Sequence, residues 1–287
     1  MKLKQNETTL KSMSDINKQA PRVPGVGRYQ ELREKKALIL GGSRGIGRAI
    51  SERLALEGVN LVINYSRSAA AAEDCARACE SLGVDVQLVQ GDIGDEQSLM
   101  RVIDFAKSQS SIDILVNNAA RGLERPRPAL TQKSQHLHKT MDVNLFGPWF
   151  ASQTVGAAMA ENGSGVIINL LSPGAWKYMP GYSAVATSKA ALESLTKYLG
   201  VELASSGVRV CGVSSGWVEG SDGEHSYRDE VSERVRPYVP SGRNVAPEDI
   251  AAVVAWLSSH EAPMFGGQVL HFDGGFDLSS WRNILET

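Results

Sequence analysis

Short apolar runs alternate with stretches of helical period along most of the chain. The first run, Ala37–Leu40, ends in glycines, after which Ile46, Ile50 and Leu54 recur with the spacing of one helix face. Helices are predicted around 69–82 and 95–108, and six further apolar runs predict strands at 61–63, 86–89, 112–116, 165–169, 208–213 and 268–271. Apolar strands separated by helices are typical of a parallel sheet covered on both faces. The pattern predicts a single doubly wound α/β domain with a mostly parallel, seven-stranded sheet.

Two segments lack this alternation. Residues 1–34 are rich in Lys, Gln, Asn and Ser and carry Pro21 and Pro24, which predicts a flexible or loosely docked arm ahead of a domain at 35–287. The polar stretch 217–243 follows the sixth strand and contains three glycines. The glycines predict a mobile segment, which would suit a lid, although a surface loop has the same composition.

Composition narrows the class of partner. A formal charge of -2 gives no strong field to attract nucleic acid or an anionic membrane, so a small molecule is expected. No apolar run approaches the roughly 20 residues that span a bilayer, and the N-terminus lacks the apolar core of a signal peptide. A cytoplasmic location is therefore expected. Cys75 and Cys79 are expected to pack as small hydrophobes, and the five histidines show no metal spacing.

A glycine-rich turn stands between the first strand and the first helix. It carries Gly41, Gly45 and Gly47 together with Ser43, Arg44 and Ile46. Glycines let a pyrophosphate approach the backbone, and the helix N-terminus offers free N–H groups. A tight turn alone also favours glycine, but between a strand and a helix the pattern indicates a Rossmann-type dinucleotide site.

The end of the second strand predicts which dinucleotide binds. An NAD site commonly places an acid there, yet no acid occurs from 60 to 72, where the sequence reads Asn64, Tyr65, Ser66 and Arg67. Arg44 and Arg67 could instead neutralise a 2′-phosphate, with help from Ser43 and Ser66. NADPH is the predicted cofactor; a pair of solvated surface arginines is the alternative.

Two further segments fit a cofactor site. Asp92 and Ile93 follow the third strand, where the aspartate could accept from an adenine amino group or begin a helix. Asn118, Ala119 and Ala120 follow the fourth strand, where small residues leave room for the cofactor and a plain turn is the alternative.

Over residues 35–278 the chain resembles the short-chain dehydrogenase/reductase family. The matching pieces are Gly41-x3-Gly45-x-Gly47, Asn117-Asn118-Ala119, Asn144, Ser172, Ser188-Lys189 and Asp273-Gly274-Gly275. The resemblance implies that Lys189 holds the nicotinamide ribose, Ser172 fixes the substrate oxygen and Asn144 supports a water relay. It also implies cofactor contacts at Gly216 and Val218, a substrate lid at about 217–243, and a homodimer or homotetramer.

The catalytic tyrosine of this family departs from its usual place. The position four residues before Lys189 is Val185, and the nearest preceding tyrosine is Tyr182, seven residues before. On one helix both spacings face the lysine, and the longer one shifts the phenol by about 4.5 Å along the axis. The spacing resembles that of the NADPH-using enoyl-acyl-carrier-protein reductases. Tyr182 is the predicted donor, with Tyr178 as the alternative.

Three functions follow from these residues. The leading prediction is NADPH-dependent reduction of an enoyl thioester that is free or carried by acyl carrier protein. The alternative is a carbonyl or 3-oxoacyl thioester reductase, and the third is a dinucleotide binder without turnover, suggested by Val185, Leu40 and Gly220 at positions where the family has Tyr, Thr and Thr. Tyr178, Trp176 and Trp217 are candidate substrate contacts, although tryptophans more often serve packing.

Overall fold

One parallel sheet organises the chain. The structure is a computed structural model that describes residues 27–108, 110–121, 127–220 and 227–279. Its seven strands lie in the order β3-β2-β1-β4-β5-β6-β7, and every neighbouring pair is parallel. The strands are β1 Lys36–Leu40, β2 Asn60–Tyr65, β3 Val86–Gln90, β4 Ile114–Asn117, β5 Gly165–Leu170, β6 Val208–Ser215 and β7 Val269–Phe272. The predicted doubly wound sheet is confirmed.

Helices cover both faces of this sheet. They are α1 Gly45–Leu56, α2 Ala69–Glu80, α3 Glu96–Lys107, α4 Ser134–Met141, α5 Gly147–Glu161, α6 Ser183–Glu202, α7 Tyr227–Val235 and α8 Pro247–Ser258. A π-helical turn, Asp142–Phe146, joins α4 to α5. One apolar core packs α1, α2 and α8 against the sheet, and a second packs α3 and α5 against it. Burial of both faces explains why the strands are nearly continuous apolar runs.

The N-terminal boundary lies earlier than predicted. Residues 27–34 were expected to belong to the flexible arm, but Tyr29 and Leu32 are 4% and 3% exposed and belong to the core. The buried carboxylate of Glu57 accepts the Tyr29 N–H at 2.8 Å, and the carboxylate also pairs with Arg53. Two apolar side chains and one buried acceptor hold this segment against the domain. The rest of the predicted arm, residues 1–26, lies outside the described residues.

Three further features concern the cysteines, possible metal ligands and the apolar length of the helices. Cys75 and Cys79 are free thiols and fully buried in α2, as expected for small hydrophobes. Across the described ranges, no group of three or more His, Cys, Asp or Glu side chains could hold a metal ion. Among the helices described, none is both long and apolar enough to cross a bilayer.

Candidate active site

The glycine turn after β1 adopts backbone that only glycine takes readily. Gly41 has φ +73° and Gly45 has φ +51°, both in the left-handed region. A Cβ on Gly47 would overlap the carbonyl oxygen of Gly41. The turn therefore brings bare backbone to the N-terminus of α1, as a bound pyrophosphate requires.

Two asparagines brace this turn from below. Asn118 Nδ2 donates to the carbonyl oxygens of Gly41 at 2.8 Å and Leu40 at 3.4 Å. Asn64 is 2% exposed; its Oδ1 accepts the Gly41 N–H at 3.3 Å, and its Nδ2 donates to Gly91 O at 3.1 Å. Both are predicted cofactor residues; their amides hydrogen-bond the turn, and direct contact with a cofactor stays a prediction.

The two arginines expected at a 2′-phosphate lie on the surface of this edge. Arg44 precedes α1 with an extended backbone, and both Arg44 and Arg67 are exposed. The Gly42 N–H donates to Asn64 O at 3.0 Å, which joins the glycine turn to the end of β2 that leads to Arg67. Ser43 is 6% exposed, whereas Ser66 is exposed and Tyr65 is half-buried. The fold thus places the glycine turn and the segment after β2, which are both predicted to bind phosphate, next to each other at the end of the sheet.

The segment after β3 lies beside these two segments. Asp92 is exposed, and its Oδ1 accepts the Gly94 N–H at 3.0 Å. The acid that begins α3 is Asp95, whose Oδ1 accepts the Ser98 N–H at 2.7 Å, so Asp92 does not have that role. Ile93 is buried.

The segment after β4 lies against the glycine turn. The Ala119 N–H donates to Leu40 O at 2.8 Å. Ala120 is exposed next to Ala119.

The predicted catalytic serine and tyrosine meet. Ser172 follows β5, and its hydroxyl donates to the phenol oxygen of Tyr182 at 3.2 Å. Tyr182 lies at the N-cap of α6, with φ -100° and ψ 6°, and is therefore not on the helix that carries Lys189. The prediction that helix phase orients this phenol was wrong, since the loop before α6 aims the ring. The expected 4.5 Å shift along a helix axis therefore does not apply.

Lys189 and Asn144 are the other two predicted catalytic residues. Lys189 is 4% exposed, and its ammonium donates to Leu170 O at 2.6 Å. Removal from water lowers the pKa of Lys189 to about 8. Asn144 lies in the π-helical turn, where its Oδ1 accepts the Arg121 N–H at 2.8 Å and its Nδ2 donates to Ser188 Oγ at 3.0 Å. Asn144 is thus fixed beside the residue that precedes Lys189.

A buried polar network beneath these residues was missed from the sequence. Asn117 Nδ2 donates to Asn169 Oδ1 at 2.7 Å and to Ser152 Oγ at 3.1 Å, and Asn169 Nδ2 donates to Thr196 Oγ1 at 2.9 Å. All four side chains are at most 1% exposed. The network ties β4 and β5 to α5 and to α6, the helix that carries Lys189. An asparagine inside the apolar run of β5 was the signal that could have revealed it.

The candidate substrate residues differ in their exposure to solvent. Tyr178 is 89% exposed and Trp176 is 46% exposed, with its ring edge-on to His271 at 5.1 Å between centroids. Trp217 is half-buried, and its indole N–H has no hydrogen-bond partner among the described residues. Tyr178 therefore lies far more in solvent than Tyr182, whose oxygen meets Ser172.

The segment after β6 is the one for which a lid is predicted. The Gly216 N–H donates to Phe272 O at 2.9 Å, and Val218 forms a parallel bridge with Val245. Residues 217–220 and 227–243 of the predicted lid are described, and they include helix α7. Its mobility stays a prediction.

Sequence comparison finds reductases and a dehydrogenase among the proteins similar to this chain. A family model described as enoyl-(acyl carrier protein) reductase matches residues 41–277. The chain is 36% identical over 242 residues to the 3-oxoacyl-(acyl-carrier-protein) reductase FabG of Staphylococcus aureus, covering 84% of this chain and 97% of that protein. It is 33% identical over 253 residues to 3beta-hydroxysteroid dehydrogenase 1 of Eggerthella lenta, covering 87% of this chain and 96% of that protein.

A solved structure agrees with this chain in fold. The crystal structure of a short chain dehydrogenase from Bacillus anthracis superposes with a TM-score of 0.76 at 31% identity, covering 87% of this chain and 99% of that one. Together with the glycine turn, the serine–tyrosine contact and the buried lysine, these matches show that the chain belongs to the short-chain dehydrogenase/reductase family of oxidoreductases.

Proposed function

We propose that this protein reduces the ketone of a 3-oxoacyl thioester with NADPH. The observation that carries the proposal is the 3.2 Å contact between the hydroxyls of Ser172 and Tyr182. Two hydroxyls this close can both donate to one oxygen atom, and in ketone reduction the charge develops on the oxygen of the carbon that is attacked. The 3-oxoacyl reductase among the relatives supports the same substrate class.

The residues present fit a phosphorylated dinucleotide. The turn leaves no space for a Cβ at Gly47, and two exposed arginines, Arg44 and Arg67, flank it where no acid occurs. Backbone N–H groups at the start of α1 would hold the pyrophosphate, and the arginines would hold the 2′-phosphate. When bound, NADPH supplies the hydride.

The protein's own part is to hold the substrate oxygen and protonate it. Ser172 fixes the oxygen, and the Tyr182 hydroxyl donates its proton to it as the carbon is reduced. A nearby ammonium favours the ionised phenol that remains, which is the proposed contribution of Lys189. Asn144, fixed by Arg121 and Ser188, would position the water that returns a proton to this pair.

Reduction of an enoyl thioester is the second candidate. Two observations favour it: the seven-residue spacing between Tyr182 and Lys189, and the description of the matching family model. There, hydride reaches the β-carbon and the hydroxyl pair holds a thioester oxygen further away. Because Tyr182 precedes the helix, the spacing does not by itself displace the phenol, so we place this function second.

A matched substrate panel separates the candidates. Acetoacetyl-CoA and crotonyl-CoA, with longer homologues of each, are incubated with NADPH, and turnover is followed by cofactor absorbance and product mass. We expect faster reduction of the oxo series, with the Tyr182→Phe variant as the inactive control. Turnover of enoyl compounds alone would establish the second candidate. No turnover of any thioester or simple ketone, despite NADPH binding, would indicate a non-catalytic binder.

The carrier and the assembly are further parts of the proposal. The name of the 3-oxoacyl reductase relative suggests an acyl group attached to acyl carrier protein. The same panel with carrier-bound thioesters would show a lower KM than the CoA series. A homodimer or homotetramer stays the predicted assembly, and sedimentation of the purified protein tests it.

A further inference from the structure

Gly174 lies directly against the ring of Tyr182. It belongs to the short 3-10 turn Pro173–Ala175 that follows Ser172, and it is buried. A Cβ built on Gly174 would lie 2.6 Å from Cδ1 and 2.7 Å from Cε1 of Tyr182. The next atom, Cβ of Ala186, would be at an ordinary 3.5 Å. The tyrosine ring therefore fills the space that any side chain at Gly174 would need.

Space, and not backbone conformation, requires glycine here. Gly174 is absent from the glycines of positive φ, whereas Gly181, directly before Tyr182, has φ +70°. An alanine at 174 would meet no backbone penalty of the left-handed kind. The phenol ring is the obstacle.

Contacts of neighbouring residues hold the loop that carries Gly174, so the loop cannot easily move away from the Tyr182 ring. Lys177 forms an ion pair with Asp277, and its ammonium lies 4.6 Å from the centroid of the Trp176 ring. The backbone of Tyr182 is held as well, because its carbonyl accepts the Ala186 N–H at 2.8 Å. With both backbones held, an added methyl group must push the ring.

We propose that Gly174 is a positioning residue for Tyr182, and that its missing side chain decides where the phenol oxygen meets Ser172 and the substrate. The inference rests on the proposed function. Carbon atoms in contact prefer about 3.5–4.0 Å, so a methyl group at 174 would shift the ring by about 1 Å. A misplacement of that size can cost on the order of 100-fold in rate.

The test compares Gly174→Ala with Gly266→Ala. Gly266 is a matched control because a Cβ there would meet only Gly200 O, at 3.7 Å, and its φ is not positive. We expect Gly174→Ala to lower kcat by roughly 10- to 100-fold, with the KM and the NADPH Kd changed less than twofold. Gly266→Ala should match the wild type. A Gly174→Ala enzyme that keeps more than half of the wild-type kcat would overturn the proposal.

Double variants show whether Gly174 acts through the phenol. In a Tyr182→Phe background the hydroxyl is gone, so adding Gly174→Ala should not lower the residual rate further. An equal fall in both backgrounds would contradict the proposal.

A stability measurement needs no activity and also covers poor folding of Gly174→Ala. Tyr182→Ala removes the ring, so adding Gly174→Ala to it should leave the Tm unchanged, while in the wild type the substitution lowers the Tm. A Tm loss of the same size in both backgrounds would refute the contact. If wild-type protein reduces neither thioester series, the proposed function fails, but this measurement still tests the ring contact.

Discussion

The buried ammonium of Lys189 donates to the carbonyl oxygen of Leu170 at 2.6 Å, at the last residue of β5 and two residues before Ser172. Burial lowers its pKa from 10.5 to about 8, because the charged form loses hydration. The same lysine is therefore partly neutral at a pH where an exposed lysine is fully charged.

This pKa shift predicts a pH-dependent stability. Between pH 8 and 10.5 the unfolded chain binds more protons at Lys189 than the folded chain, so the contribution of Lys189 to the free energy of unfolding rises with pH. The full change is roughly 3 kcal/mol. Other buried groups, among them Cys211, also titrate near this range, so the test is the difference in unfolding free energy between cofactor-free wild type and Lys189→Met, which should rise with pH in urea unfolding. Parallel curves would contradict it.

The hydroxyl pair predicts which tyrosine matters. Tyr182→Phe should lower kcat by roughly 100- to 10,000-fold with little change in KM, because it removes the proton donor. Ser172→Ala should also lower kcat. Tyr178→Phe is the matched control, since Tyr178 is 89% exposed and should keep wild-type rates. Loss of activity in Tyr178→Phe with an intact Tyr182→Phe enzyme would reverse the assignment.

The exposed arginines predict cofactor preference. Arg67→Ala should weaken NADPH binding by roughly 10- to 100-fold, because one charge-assisted contact to the 2′-phosphate is lost. NADH binding should not change. Arg101→Ala, on the exposed side of α3, is the control for net charge. Fluorescence titration gives both Kd values, and equal affinity of the wild type for the two cofactors would exclude the proposed role.

Asn64 predicts a link between the glycine turn and stability. Asn64→Ala leaves the Gly41 N–H and the Gly91 carbonyl without their buried partner, which should cost about 1–3 kcal/mol of unfolding free energy. NADPH should also bind more weakly, since the turn loses its brace. Asn64→Asp keeps the acceptor but loses the donor, so it should also be destabilised. Urea unfolding and titration with NADPH test both variants, and wild-type values for both would contradict the brace.

The sheet and the dinucleotide turn could be predicted because their signals are local. Strand, glycine turn and helix follow one another within residues 36–56, and their periods and glycines lie within a few positions of one another. The order of motifs also placed Ser172 after the fifth strand and Lys189 on a helix, where the structure has them. The local sequence pattern therefore determines the backbone geometry of the turn and the burial of the sheet on both faces.

Features that depend on residues far apart in the sequence were decided only by the tertiary structure. The helix-phase argument failed for Tyr182 because the residue lies before α6, and packing against Gly174 and Ser172 sets the direction of its ring. The docking of Tyr29 depends on Glu57, and the network through Asn117 joins side chains 35 and 52 residues away. Such contacts arise only when separate elements meet in space, so no local period reports them.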